Sequence, residues 1–404
     1  MLYSAYQWQT DLMKPLRRAA AGVQGALKPF TGIPGFGGLA YVGAIAEMVS
    51  RSALTHHRPD FGIERVLVGN EEVAVIEQVA HRTPFCTLLH FRKDIVTAQP
   101  KVLVVAPLSG HFATLLRSTF RTLLPEHDVY MTDWHNARDI PVEAGEFGFD
   151  DYVEHVITFL EVLGPDSHVI AVCQPCVHAL AAVAVMAQTK NPAQPSSMTL
   201  MAGPVDTRVN PTNVNKLASE KPISWFEKNL ISKVPACHKG RGRRVYPGFL
   251  QLFAFMSMNS ARHRKAHQDL FMHLAAGEVE KAEEIKDFYD EYFAVLDLTA
   301  EFYLETVERV FQNAALAEGT LTYRGMPVDP GAIRRTALLT IEGERDDICA
   351  PGQTVAAHDI CTGIKPYMKR HHYQAGVGHY GVFSGRRWEN QIYPMVRSMI
   401  LSMA

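Results

Sequence analysis

His168-Val-Ile-Ala-Val-Cys-Gln-Pro-Cys176, followed closely by Ala179-Leu-Ala-Ala-Val-Ala-Val-Met186, decides how this chain folds. Residues 168–172 form a strand-like run, and the alanine-rich run of 179–186 is helix-like. A thiol therefore stands at a strand-to-helix turn. The first turn of a helix presents unpaired N–H groups and a partial positive charge, which favour a thiolate and can cradle an oxyanion. Two chemistries use such a thiol. Cys-x-x-Cys with an internal proline is the pattern of thioredoxin-like disulfide exchange. The other is acyl transfer through a covalent thioester, with cysteine in the place of the serine of a nucleophile elbow.

The elbow needs compact residues two before and two after its nucleophile, because the tight turn presses them against neighbouring backbone. Around Cys173 these are Ala171 and Pro175; around Cys176 they are Gln174 and His178. The comparison selects Cys173, and Pro175 suits the first helical turn, where its missing N–H costs nothing. Cys176 is expected to pack one turn along as a small apolar residue. A downstream acid and histidine are then required, in that order. Gly343-Glu-Arg-Asp346 follows the strand-like run 336–341 and offers Asp346, with Asp347 as the alternative. Gly376-Val-Gly-His379-Tyr-Gly381 sets His379 among glycines, the best context of the 18 histidines. The oxyanion site is expected from the amide of Gln174 and one from the loop Pro107-Leu-Ser-Gly-His111, supplied by Leu108 or Ser109.

The rest of the chain fits an enzyme with this centre. Strand-like runs at 73–79, 86–91, 102–106, 129–132, 168–173 and 198–201 alternate, in their later part, with helical stretches at 112–124 and 152–163. The pattern predicts an α/β fold with a mostly parallel doubly wound sheet covered on both faces. Residues 1–58 read as an N-terminal helical arm with a Gly/Pro-rich break at 30–38, and 59–206 as the first part of the core. Residues 207–330 carry long Phe-, Tyr- and Met-rich helical stretches at 249–258, 269–276 and 288–312, expected as an inserted lid, and 331–404 complete the core.

Of 404 residues, 47% are hydrophobic and 20% charged, which excludes disorder over most of the chain, and the formal charge of -2 gives no field for nucleic acid. Lys239-Gly-Arg-Gly-Arg-Arg244 is basic and reads as a solvated loop. No secretion signal and no membrane span are expected, so the six cysteines read as reduced thiols of a cytoplasmic protein. A zinc site from Cys173, Cys176, Cys237 and His238 lacks the spacing of a second ligand pair, and neither metal nor cofactor is expected.

Five separated blocks are similar to the intracellular polyhydroxybutyrate depolymerases: Ala106-Pro-Leu-Ser-Gly-His-Phe-Ala-Thr-Leu-Leu-Arg117, Thr132-Asp-Trp-His-Asn-Ala-Arg138, Val169-Ile-Ala-Val-Cys-Gln-Pro175, Tyr246-Pro-Gly-Phe-Leu-Gln-Leu252 and Gly376-Val-Gly-His-Tyr-Gly-Val-Phe383. The opening Met-Leu-Tyr and the segment Asp-Leu-Thr-Ala-Glu-Phe-Tyr303 extend the resemblance nearly end to end. It implies an α/β-hydrolase fold and a cysteine-nucleophile hydrolase acting on 3-hydroxybutyrate esters, as oligomers and in the amorphous polymer of storage granules, with Cys173, Asp346 and His379 as the triad. Cys176 departs from the family pattern and leaves open a Cys173–Cys176 disulfide; homo-oligomerisation is also left open. A polyester synthase or acyltransferase, including thiolysis to coenzyme A, would use the same triad. A thiol-disulfide oxidoreductase would need both Cys173 and Cys176.

Overall fold

A nine-stranded sheet organises the chain. The computed structural model describes residues 2–30, 37–95, 98–258 and 260–403. Most of the Gly/Pro-rich break, residues 31–36, lies outside them. The strands are Arg65–Val68 (β1), Glu71–Arg82 (β2), Cys86–Lys93 (β3), Lys101–Val105 (β4), Asp128–Trp134 (β5), His168–Val172 (β6), Ser197–Met201 (β7), Ala337–Gly343 (β8) and Lys369–Gln374 (β9). Their order is β1-β2-β3-β5-β4-β6-β7-β8-β9. The first three pair antiparallel and β3 meets β5 antiparallel, whereas every pairing from β5 to β9 is parallel. This is the expected α/β-hydrolase fold, with the mostly parallel sheet that the strand–helix alternation predicts. β1 was not legible as a strand: four residues at an edge, alternating between half-buried and exposed, carry little pattern.

Alternation along the central strands sends side chains to two cores. Leu103, Val105, Val169 and Ala171 join Phe149–Leu163 (α1) and Pro175–Gln188 (α2) on one face. Val102, Val104, Ile170 and Val172 join Phe120 and Leu123 of Arg117–Leu123 (α3) and Val396, Met399 and Ile400 of Tyr393–Leu401 (α4) on the other. Burial on both faces explains why these strands read as continuous apolar runs.

Residues 1–58 supply two helices, Leu2–Leu27 and Gly37–Ser50. The arm is pinned at its start, where the buried Tyr3 hydroxyl donates to Asp297 at 2.6 Å and Tyr6 stacks on Phe249 at 4.1 Å. Between β7 and β8 lie Asn213–Glu220, Ile223–Leu230, Gly248–Met258, Ser260–Ala276 and Val279–Tyr292, the helical block expected there. It is less purely helical than its composition suggests. The helix expected over 288–312 is interrupted after Tyr292, and the chain returns to a helix only at Ala300–Thr306. In between, Val295 bonds Thr55 O at 2.9 Å, Leu296 bonds Gly110 O at 3.0 Å, and Leu298–Thr299 pairs with Arg244–Tyr246. Arg243 also departs from expectation. It is buried, not solvated, and donates to the carbonyls of Ile140, Pro141 and Gly145.

Candidate active site

Cys173 ends β6 with φ 67°, in the left-handed region that a non-glycine residue occupies only when its surroundings impose it. Its amide donates to Met201 O at 2.8 Å and its carbonyl accepts from the Cys176 amide at 3.0 Å. The turn is therefore tied to β7 on one side and to the start of α2 on the other. Compact neighbours make it feasible: Ala171 and Pro175 are buried, as the elbow requires, and a third one comes from outside the motif. Gly203 lies so close that a Cβ there would stand 2.2 Å from Cys176 Cβ and 3.1 Å from Cys173 O.

Parallel pairing brings the other candidates to the same edge of the sheet. Val105 of β4 lies opposite Ala171 of β6, so the loops after these strands, 106–111 and 173–175, emerge side by side. β7 and β8 follow, then β9, and the loops after β8 and β9 carry Asp346 and His379. Asp346 Oδ2 accepts from His379 Nδ1 at 2.8 Å. Asp346 Oδ1 accepts the amides of Ile348 and Cys349 at 2.9 and 2.8 Å, which fixes the carboxylate's orientation. The Asp346 side chain is fully buried and that of His379 nearly so. Asp347, the alternative acid, is exposed. Burial works against charge on His379, but the Asp346 carboxylate and the Cys173 thiolate outweigh it and hold the group well above the usual histidine range. The carboxylate and the imidazole are thus bonded, and the Cys173 sulfur is near enough to act on the imidazole's charge.

The candidate oxyanion loop is clamped at both ends. The Ala106 carbonyl accepts from Trp134 Nε1 and from Tyr152 hydroxyl, each at 3.0 Å, and Gly110 O accepts from the Leu296 amide at 3.0 Å. Gly110 has φ 95°, and a Cβ there would come within 2.8 Å of Gln251 Cγ. Among the described residues no intramolecular acceptor takes the amides of Leu108, Ser109 or Gln174. Gln174 is buried, with its side-chain amide donating to Thr306 Oγ1 at 3.3 Å.

Cys176 is wholly buried, with its sulfur against Ala171 O at 3.3 Å, Met201 O at 3.6 Å and the bare face of Gly203. Burial, and then the neighbouring Cys173 thiolate, push its thiol well above the ordinary range. Both cysteines are free thiols. A buried sulfur that resists ionisation suits packing and offers disulfide exchange a poor partner.

Three supporting residues escaped sequence reasoning. Glu342, at the end of β8, is buried and accepts the amides of Gly352, Thr354 and Val355 at 3.0, 2.7 and 2.9 Å, shaping the loop that carries Asp346. Thr354 in turn bonds both the amide and the carbonyl of Gly203 at 2.9 Å. Tyr380, beside His379, packs both on the core around Cys173 and on the Leu252–Tyr289–Tyr292–Val295 cluster of the helical block. The helical block therefore meets the candidate site at Tyr380. Thr354 and Tyr380 act through partners distant in sequence, and Glu342 through amides 10, 12 and 13 residues on, so no local pattern could have marked them.

A family model described as PHB de-polymerase C-terminus matches residues 202–404, the half that carries Asp346 and His379. No curated protein matches the chain. Similar solved structures include a 2-hydroxy-6-oxo-6-phenylhexa-2,4-dienoate hydrolase of a Rhodococcus species, 12% identical over 81% of this chain and 99% of that one, TM-score 0.41. A monoacylglycerol lipase of Paleococcus ferrophilus is 12% identical over 76% of this chain and 97% of that one, TM-score 0.42. An esterase of Pyrobaculum calidifontis is 12% identical over 90% and 92%, TM-score 0.42.

Proposed function

The chain belongs to the PHB depolymerase family and is a carboxylic ester hydrolase, and from that premise we propose that it cleaves the 3-hydroxybutyrate esters of amorphous polyhydroxybutyrate granules in the cytoplasm through a Cys173 thioester. The observation that carries this reading is the 2.8 Å hydrogen bond between Asp346 and His379, on an imidazole whose charge the Cys173 thiolate of the strained turn also supports.

In the cycle, the Cys173 thiolate attacks the ester carbonyl carbon. The oxyanion is met by the Gln174 amide and by that of Leu108 or Ser109. The carbon–oxygen bond breaks, and the leaving alkoxide of the shortened chain takes the proton held on His379. Acylation also removes the thiolate charge, one of the influences that held His379 protonated, so the neutral imidazole becomes a better base for the next step. His379 then accepts a proton from water, the hydroxide attacks the thioester, and the carbon–sulfur bond breaks to release the acid and restore the thiolate. Asp346 orients the ring and stabilises the imidazolium. Residues 207–330 act as a lid over this centre, 1–58 as an arm, and 59–206 with 331–404 as the catalytic core. Trp8, Leu12 and Leu16 on the arm and Phe253 on the lid are exposed apolar side chains that suit contact with a polyester surface.

Release of 3-hydroxybutyrate from amorphous granules, compared between the wild type and Cys173→Ala, tests the reading. Wild type should release product and the variant should fall by about 10^4 or more, as loss of a triad member does elsewhere. Equal release from both removes the mechanism.

A further inference from the structure

An open depression of about 440 Å³, lined by polar and apolar side chains alike, lies outside the candidate centre, with none of Cys173, Asp346 or His379 in its wall. It is built by Arg58, by Glu77 and Arg82 of β2, and by Asp133, His135 and Asn136 of the block Thr132–Arg138. That block was singled out in the sequence, yet it supplies nothing to the triad.

Two groups in this wall are open to a ligand, an acid with an unpaired oxygen and an exposed arginine. Asp133 is only 7% exposed. One of its oxygens, Oδ2, lies 3.3 Å from Arg58 Nε, while Oδ1 is buried with no hydrogen-bond partner. A buried carboxylate oxygen without a donor is costly, and a ligand that brings a donor recovers that cost. Burial accordingly raises the Asp133 carboxyl to about 6, against the lowering influence of Arg58. Arg82 is the complementary case. Its Nε donates to Thr87 Oγ1 at 3.3 Å, a hydroxyl also bonded to His135 Nε2 at 2.8 Å. Among the described residues no carboxylate forms an ion pair with it, whereas Arg58 is shared between Asp133 and Glu77. The cavity thus sets a buried acceptor that lacks a donor near an exposed cation that no carboxylate among the described residues pairs with directly.

We propose that this cavity is a binding site for a short hydroxycarboxylate, whose carboxylate pairs with Arg82 and whose hydroxyl donates to the Asp133 carboxylate. The ligand class follows from these two groups and goes beyond the catalytic reading; a molecule with an anion alone satisfies only half of the wall. The site stands apart from catalysis, so its occupant need not react.

The test uses the full chain as Cys173→Ala, so that binding is read without turnover, and titrates 3-hydroxybutyrate, butyrate and inorganic phosphate by calorimetry. We expect saturable binding of 3-hydroxybutyrate, and butyrate weaker by about tenfold, the loss of one hydrogen bond to a charged group. Adding Arg82→Gln should weaken 3-hydroxybutyrate by at least about tenfold, Arg82→Lys should restore part of it, and both should keep the parent's thermal midpoint. In the otherwise wild-type chain Arg82→Gln should leave ester hydrolysis unchanged, which separates this site from the catalytic one. Equal affinity for butyrate or phosphate overturns the hydroxycarboxylate assignment. Binding indifferent to Arg82→Gln, or absent altogether, overturns the site, whether or not the chain hydrolyses polyester.

Discussion

Replacing Asp346 by asparagine changes one atom and should stop acylation. Asp346 Oδ1 accepts two amides, at 2.9 and 2.8 Å, while Oδ2 faces His379 Nδ1 at 2.8 Å. In Asp346→Asn the one remaining oxygen must stay with the two amides, since the opposite placement would set an NH2 against two N–H donors. The new NH2 then points at His379 Nδ1, which has to become an acceptor and send the ring proton to Nε2. An imidazole with its proton toward the Cys173 sulfur cannot take another from it. Loss of the carboxylate also removes an influence that raises His379 and leaves burial to lower it, so the thiolate–imidazolium pair loses its support. The expected cost is about 10^4 in the rate of thioester formation, or roughly 5 kcal/mol at ~1.36 kcal/mol per decade. Single-turnover acylation with a chromogenic 3-hydroxyacyl ester reads it directly. Asp346→Ala provides the contrast, because its ring is free to choose either tautomer but two buried amides lose their acceptor, at about 1–3 kcal/mol of stability. Asparagine should therefore damage acylation more and stability less than alanine. Acylation in Asp346→Asn within tenfold of wild type would refute the tautomer argument.

Other consequences are open to measurement. Gly203→Ala places a methyl 2.2 Å from Cys176 Cβ; it should cost about 1–3 kcal/mol in chemical denaturation and, by shifting the elbow, about 10^2 in acylation. Cys176→Ala, which only removes a packed sulfur, should cost ~1 kcal/mol and leave hydrolysis within a few-fold, and a complete loss would return Cys176 to the chemistry. Buried Asp297, raised to about 6 by desolvation despite the Tyr3 hydrogen bond, has a folded pKa above its unfolded one. Its contribution is present in full below about pH 4 and is lost as pH rises through about 6, roughly 3 kcal/mol in all. Asp297→Asn should flatten the stability profile over that window, and an unchanged slope would exclude the assignment. Tyr3→Phe removes the hydroxyl that holds the arm to Asp297 at 2.6 Å; limited proteolysis should then cut within residues 2–27 faster than in the wild type, by the factor that about 1–2 kcal/mol allows.

What the sequence by itself determined is local or ordered along the chain. Strand–turn–helix signals around Cys173 follow from propensity and compact neighbours, Pro175 marks the first turn of α2, and the doubly buried strands read as unbroken apolar runs. The candidates Asp346 and His379 were legible because each sits in a glycine-bearing loop just after a strand, in the order the elbow demands. Tertiary structure decided what depends on approach between distant segments. Gly203 shows why: its lack of a side chain matters only because β7 delivers it against Cys176. Arg243 looked like one charge in a basic run until three carbonyls from 140–145 enclosed it. The helix expected over 288–312 has suitable composition throughout, yet backbone partners at Thr55 and Gly110 draw residues 295 and 296 out of it. Spacing prefers Asp346 to Asp347, and the two differ in three dimensions. One carboxylate is buried with an acceptor oxygen on His379, and the other faces solvent. A side chain's type and its neighbours in sequence fix what it can do; the long-range contacts that exclude water fix which of those abilities it keeps.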